Sequence, residues 1–143
     1  MRALLVAMVI SGCAPAIKCV AQEGFGELPE ARSVQLAPLN VESVDADQRE
    51  ACRRAFREAA LARMKTSWPR VQVVESGADL TLAATLENAS GTLRGDLGVL
   101  ENRTGKTVRE TQFTTRADSS LIEICRAFGG EIIDARRGCP VFL

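Results

Sequence analysis

Between Leu80 and Glu101 the chain alternates apolar and polar residues in two successive runs, and a third strand-like run extends to Thr115, the three separated only by short turn sequences. In the first, Leu80, Leu82, Ala84 and Leu86 alternate with Thr81, Ala83 and Thr85. In the second, Thr92–Glu101, the alternating residues are Leu93, Gly95, Leu97 and Val99. The third, Thr107–Thr115, is rich in Thr and includes Val108 and Phe113. A period of two sends successive side chains to opposite faces of a sheet, so each of the first two runs predicts a strand with one buried face. "NASG" at 88–91 and "NRTGK" at 102–106 are turn sequences, with Gly91 and Gly105 available for positive φ. The three strands make an antiparallel meander, whose apolar face needs a second layer to cover it.

Two helical segments can supply that layer. Asp47 to about Thr66 carries a D-x-x-E form of the capping box in Asp47 and Glu50. Cys52, Ala55, Phe56, Ala59 and Ala62 recur on one side at helical spacing, and Pro69 ends the helix by Trp68. Ser119 to about Arg137 reads as a second helix, with Ser120 and Glu123 as its capping box and Ser119 and Asp118 as alternative caps. Leu121, Cys125, Phe128 and Ile132 share its apolar face. Gly129-Gly130 weakens the middle by about 1 kcal/mol per glycine relative to alanine, which predicts a kink or a near-end. Gly138 and Pro140 stop it.

Ser33–Ser43 reads as an opening strand. Val34 and Leu36 lie on one parity and Leu39 and Val41 on the other, so Pro38 between them predicts a bulge and an edge or end position. Val71–Glu75 is a short β-branched strand. The order is β-α-β-β-β-β-α: an α+β two-layer sandwich, with a mostly antiparallel sheet and two helices on one face.

At the start of the chain, Arg2 and the apolar run Ala3–Ile10 fit a secretory signal peptide. The run is far shorter than the roughly 20 residues of a membrane span. Ile10-Ser11-Gly12-Cys13 resembles a bacterial lipobox. The resemblance implies cleavage before Cys13 and a diacylglycerol on its thiol. Ala14 after the cysteine resembles outer-membrane sorting in Gram-negative bacteria. Residues 1–12 are then a lipoprotein signal peptide, 13–32 a flexible tether with Pro15, Gly24, Gly26 and Pro29, and 33–143 the α+β domain. Such a tether holds the domain clear of the lipid surface. The alternative is an ordinary signal peptide cut after Ala21, releasing a soluble periplasmic ligand-binding or structural module; Lys18, close before that cut, counts against it. Lipidation of Cys13 leaves an even set of cysteines, Cys19, Cys52, Cys125 and Cys139, as an oxidising compartment favours.

The phrases "VQLAPLNV" and "GADLTLAATLENASGTLRGDLGVLENRTGKTV" resemble the opening strand and the "ADL" strand with its T-G-K turn in one group of envelope domains. These are the N-terminal domain of TolB and the related domains of CsgG-like and LpoB-like lipoproteins. The resemblance covers roughly residues 33–136. It implies an envelope binding or assembly domain and transfers no functional residue.

The chain has no His and no Tyr, which removes imidazole triads and the commonest zinc ligand. Formal net charge is zero, so nothing predicts nucleic-acid binding. Without a C-x-x-C the cysteines predict neither a metal site nor a catalytic thiol. Two helices following opposite-running strands would lie antiparallel, bringing Cys52 near Cys139. That bridge is the favoured pairing, with a stabilisation of about 4 kcal/mol in the chain-entropy view. Cys125 is then a buried free thiol, or pairs with Cys19 or Cys139. Arg49, Arg53, Arg54 and Arg57 form a basic strip that faces solvent or meets anionic headgroups or an acidic partner. Trp68 is a core-edge residue or an interface anchor. Asp79, Glu87, Asp96, Glu101 and Glu110 are scattered, with no aromatic platform beside them for a glycosidase. Arg94-Gly95-Asp96 falls inside a strand. The expectation is a non-enzymatic module without cofactor or metal, held to a membrane by lipid and binding an envelope protein. A carboxylate- or thiol-dependent enzyme is the lesser alternative.

Overall fold

The computed structural model of the chain describes residues 17–23, 31–42, 45–89, 92–116 and 120–134. The signal sequence, Cys13, Gly91, Asp118, Ser119 and the segment carrying Gly138, Cys139 and Pro140 lie outside them. The elements are β1 (Lys18–Glu23), β2 (Ser33–Leu36), β3 (Asn40–Val41), α1 (Ala46–Ser67), β4 (Gln72–Val73), β5 (Leu80–Ala89), β6 (Thr92–Glu101), β7 (Lys106–Arg116) and α2 (Leu121–Asp134). The sheet order is β1-β7-β6-β5-β2-β4, with β3 also paired to β5.

The meander forms as its alternation predicts. β5 pairs antiparallel with β6, and β6 with β7. Gly105 turns the second hairpin at φ +71°. The first half of the chain differs from expectation. Lys18–Glu23, read as tether, is a strand that pairs antiparallel with β7 and forms one edge of the sheet. The opening strand breaks at Ala37–Leu39 into β2 and β3, both parallel to β5. The interruption at Pro38 is as predicted, but β2 is not an edge, because the two-residue β4 lies outside it.

α1 is capped by Asp45, whose Oδ1 accepts from Gln48 N at 2.9 Å, so Asp47 is a first-turn residue and not the cap. Ser120 caps α2, accepting from Glu123 N at 3.3 Å. The residues that α1 buries are Cys52, Ala55, Phe56, Ala60 and Met64. Ala59 and Ala62 instead border the groove between the helices. α2 runs unbroken through Gly129 and Gly130. A Cβ at Gly129 would fall against the Phe56 carbonyl oxygen, so this glycine permits close helix approach and marks no kink.

The helices run parallel, not antiparallel. Cys52 touches Cys125, Phe56 meets Phe128 and Arg63 reaches Asp134, so partners ascend together along both helices. The cause is strand direction. β2 runs with β5, and β5 runs with β7 through the intervening β6, so both helices return from strands that point the same way.

Phe128 centres the core. Its ring lies 5.8 Å from Phe56 and 5.4 Å, edge-on, from Phe113. Gly95 leaves room beneath it: a Cβ there would sit 2.7 Å from the Phe128 ring. Full burial of such a side chain contributes about 1.5–3 kcal/mol. The Arg94-Gly95-Asp96 tripeptide is therefore part of β6, with its glycine under the core, and is not a displayed loop.

Candidate interaction surface

Ala37–Leu39 crosses the start of α1 and creates a concave surface there. Ala37 N donates to Leu82 O at 2.9 Å, which fixes the segment to β5. Arg53 Nε donates to Leu39 O at 2.9 Å, which fixes α1 to the segment. Between them lies a groove of about 350 Å3 bordered by Pro38, Glu50, Arg53, Arg54, Phe56 and Arg57. Arg54 and Arg57 are exposed on its rim, while Arg53 is half-buried by its bond to the backbone. Arg49 is also half-buried, with its Nε turned inside. The predicted basic strip thus divides into two packing arginines and two available ones. Its chemistry suits an acidic segment with an apolar side chain for the floor.

Trp68 is not part of this surface. It follows the last residue of α1, as the C-cap whose N–H donates to Met64 O, is 5% exposed and belongs to the hydrophobic core. The core-edge reading of Trp68 stands and the anchor reading falls.

Of the carboxylates singled out in the sequence, Asp79 and Glu101 border one groove at the end of the sheet, while Glu87 and Asp96 lie elsewhere on it. Asp79 Oδ2 accepts from Arg32 N at 2.8 Å, and Asp79 N donates to Ser33 Oγ at 3.0 Å. Asn102 Nδ2 donates to Ala78 O at 2.8 Å and its Oδ1 accepts from Thr81 Oγ1 at 2.9 Å. These bonds line a groove of about 690 Å3 at the end of the sheet, and they tie β2, β5 and the β6–β7 turn together. Glu101 accepts from Thr104, Asp96 lies 3.7 Å from Arg94 Nε, and Glu87 stands opposite Arg94 across β5 and β6.

The burial of polar residues on β7, Arg109, Thr111 and Thr115, escaped the sequence reading. Arg109 and Thr111 project from β7 toward the helices and are buried, on the same parity as Phe113. Burial lowers the Arg109 pKa from its usual value. Val108 lies on the opposite parity and is only partly buried. The cysteines also differ from expectation. Cys19 is disulfide-bonded, while Cys52 and Cys125 are free, buried thiols. The expected Cys52–Cys139 bridge does not form, because parallel helices carry the start of α1 to the start of α2. Burial first, and then contact with Cys52, push the Cys125 thiol well above its ordinary pKa. The missed signal was strand direction, which residue patterns do not encode.

No family model matches the sequence, and no curated protein matches it either. Among solved structures, the fold is similar to that of the PelC dodecamer from Paraburkholderia phytofirmans. The TM-score is 0.56 at 10% identity, covering 88% of this chain and 99% of that one. A PelC variant, also a dodecamer, gives 0.57 at 11% identity over 85% and 96%. A PDZ domain protein from Parabacteroides distasonis gives 0.54 at 8% identity, covering 95% of this chain and 40% of that one. At these identities the likeness establishes a shared fold. Lipoprotein GNA1162 from Neisseria meningitidis, at 0.45 and 13% identity over 77% and 99%, is too distant to carry an argument. The likeness to TolB-, CsgG- and LpoB-like domains rests on the strand phrases and not on these neighbours. No helix among the described residues is long and apolar enough to cross a membrane.

Proposed function

We propose that this chain is a lipid-anchored envelope lipoprotein whose domain is an assembly module that binds copies of itself. The observation that carries the reading is the likeness, over nearly a whole protomer, to a protein that forms a dodecamer. An assembly of more than two copies joined head to tail uses two unlike surfaces that complement each other. This sheet offers unlike edges at its two ends, β1 and β4. Each exposes a valine, Val20 at 59% and Val73 at 36%. Strand addition at such an edge, or an acidic segment seated against Arg54 and Arg57, supplies the contact.

The anchor is supported by the lipobox at Ile10–Cys13 and by the position of β1. Cleavage after Ala21 would sever that strand, removing the pairings of Lys18 with Thr114 and Cys19 with Phe113. A thioether at Cys13 would leave that sulfur unable to bridge Cys19. The outer membrane is the destination that Ala14 implies.

Two measurements test the proposal. Radiolabelled palmitate should enter the wild type expressed in a Gram-negative host and be absent from Cys13→Ser; equal labelling overturns the anchor. Light scattering of the Cys13→Ser protein without detergent should give a defined oligomer larger than a dimer; a monomer overturns the assembly. Arg54→Glu with Arg57→Glu should lower that mass if the groove carries the contact, and an unchanged mass assigns it to the strand edges.

A further inference from the structure

Cys52 and Cys125 have no part in the assembly just proposed, yet they lie together. Each sits near the start of its helix and each is 0% exposed. Their side chains touch across the α1–α2 interface. Just beyond, Phe56 packs on Phe128, and Gly129 admits the Phe56 carbonyl. The two helix backbones approach closely one turn beyond the cysteines, at Phe56 and Gly129, and a disulfide needs Cα atoms about 5.5 Å apart.

We propose that Cys52 and Cys125 are a redox pair that closes into a disulfide joining α1 to α2. The envelope reading enters only as the source of the oxidant, a protein or small-molecule disulfide. One thiolate attacks the donor disulfide, breaking its S–S bond and forming a mixed disulfide. The second thiolate then attacks that bond and expels the donor's remaining sulfur, so that both donor sulfurs end reduced. One S–S bond forms, one breaks, and the two thiol protons end on the donor's sulfurs.

Burial dictates when this occurs. The thiolate is the nucleophile, and in the folded protein burial and the neighbouring thiol keep Cys125 protonated. Neither sulfur is reachable by a donor once α2 lies on α1. Closure therefore belongs to folding, before the helices seal. A pair that folds reduced stays reduced, and a pair that folds closed is equally shielded from reductants.

Refolding of the full chain tests this without any variant. The denatured, reduced protein is refolded in one arm with a glutathione redox buffer and in the other with excess reductant. Free thiols are alkylated, and the protein is digested without reduction for mass spectrometry. The expected result is a Cys52–Cys125 linked peptide as the dominant form in the oxidising arm. In the reducing arm, folded protein then exposed to the same buffer should show at least tenfold less of it. Recovery of both cysteines as separate alkylated peptides after oxidative refolding overturns the proposal, as does linkage of either to another cysteine. Rapid closure in already folded protein overturns the timing. The same map on protein taken from the envelope separates the two readings. A pair that links in the buffer but is free in cells leaves the redox pair standing and counts against an oxidising location.

Discussion

Gly129 and Gly130 are adjacent and serve different ends. The first has no space for a Cβ because the Phe56 carbonyl occupies it, and the oxygen belongs to a helix backbone that cannot swing aside. A Cβ on the second would lie 3.4 Å from the Arg63 guanidinium, the far end of a flexible side chain. Gly129→Ala should therefore destabilise the domain by about 1–3 kcal/mol through overpacking. Gly130→Ala should be neutral or stabilising by up to about 1 kcal/mol through helix propensity. Urea denaturation midpoints compare the two. The pair was legible in the sequence as a weakness in a helix. Which glycine matters was not, because that depends on what the neighbouring helix presents. The basic strip has the same limit: four arginines at helical spacing are visible in the sequence, but not that Arg53 is held by the Leu39 carbonyl while Arg54 and Arg57 remain available.

Among the elements, α2 ends unfavourably for charge. Glu131 lies in its last turn, where the helix dipole disfavours a carboxylate. Partial burial, then the nearby Asp134, raise its pKa although the side chain still reaches solvent, and Arg63 only partly offsets them. A carboxyl raised on folding contributes stability at pH below the usual carboxylate range. That contribution is lost as pH rises through its folded value. Glu131→Gln should thus raise the melting temperature slightly at pH 7, by less than about 0.5 kcal/mol at so exposed a position. The gain should vanish near pH 3, and melting curves at the two pH values check it. Two of the long strands were legible from a period of two, and the third from its β-branched threonines. β1 was not. Its six residues gain their strand character from β7, and the run between Gly24 and Pro29 that follows reads as linker. Pairing direction was also hidden, and with it the parallel helices and the neighbour of Cys52.

At the scale of the molecule, β1 closes the exposed side of β7. A chain shortened to begin at Gly24 should leave β7 as a long bare edge, open to pairing with other chains. It should melt lower and scatter more light than the Cys13→Ser protein at equal concentration. An unchanged melt and no scattering would show that β1 is dispensable.

The position of β1 also sets how far the domain can stray. It begins at Lys18, five residues past Cys13, and five residues reach at most about 18 Å even when fully stretched. If Cys13 carries acyl chains, as proposed, the leash is too short for the body to move far from the bilayer. Copies would then meet by sliding within a thin layer against the bilayer, all the same way up. Confinement of that kind raises their local concentration without any added contact.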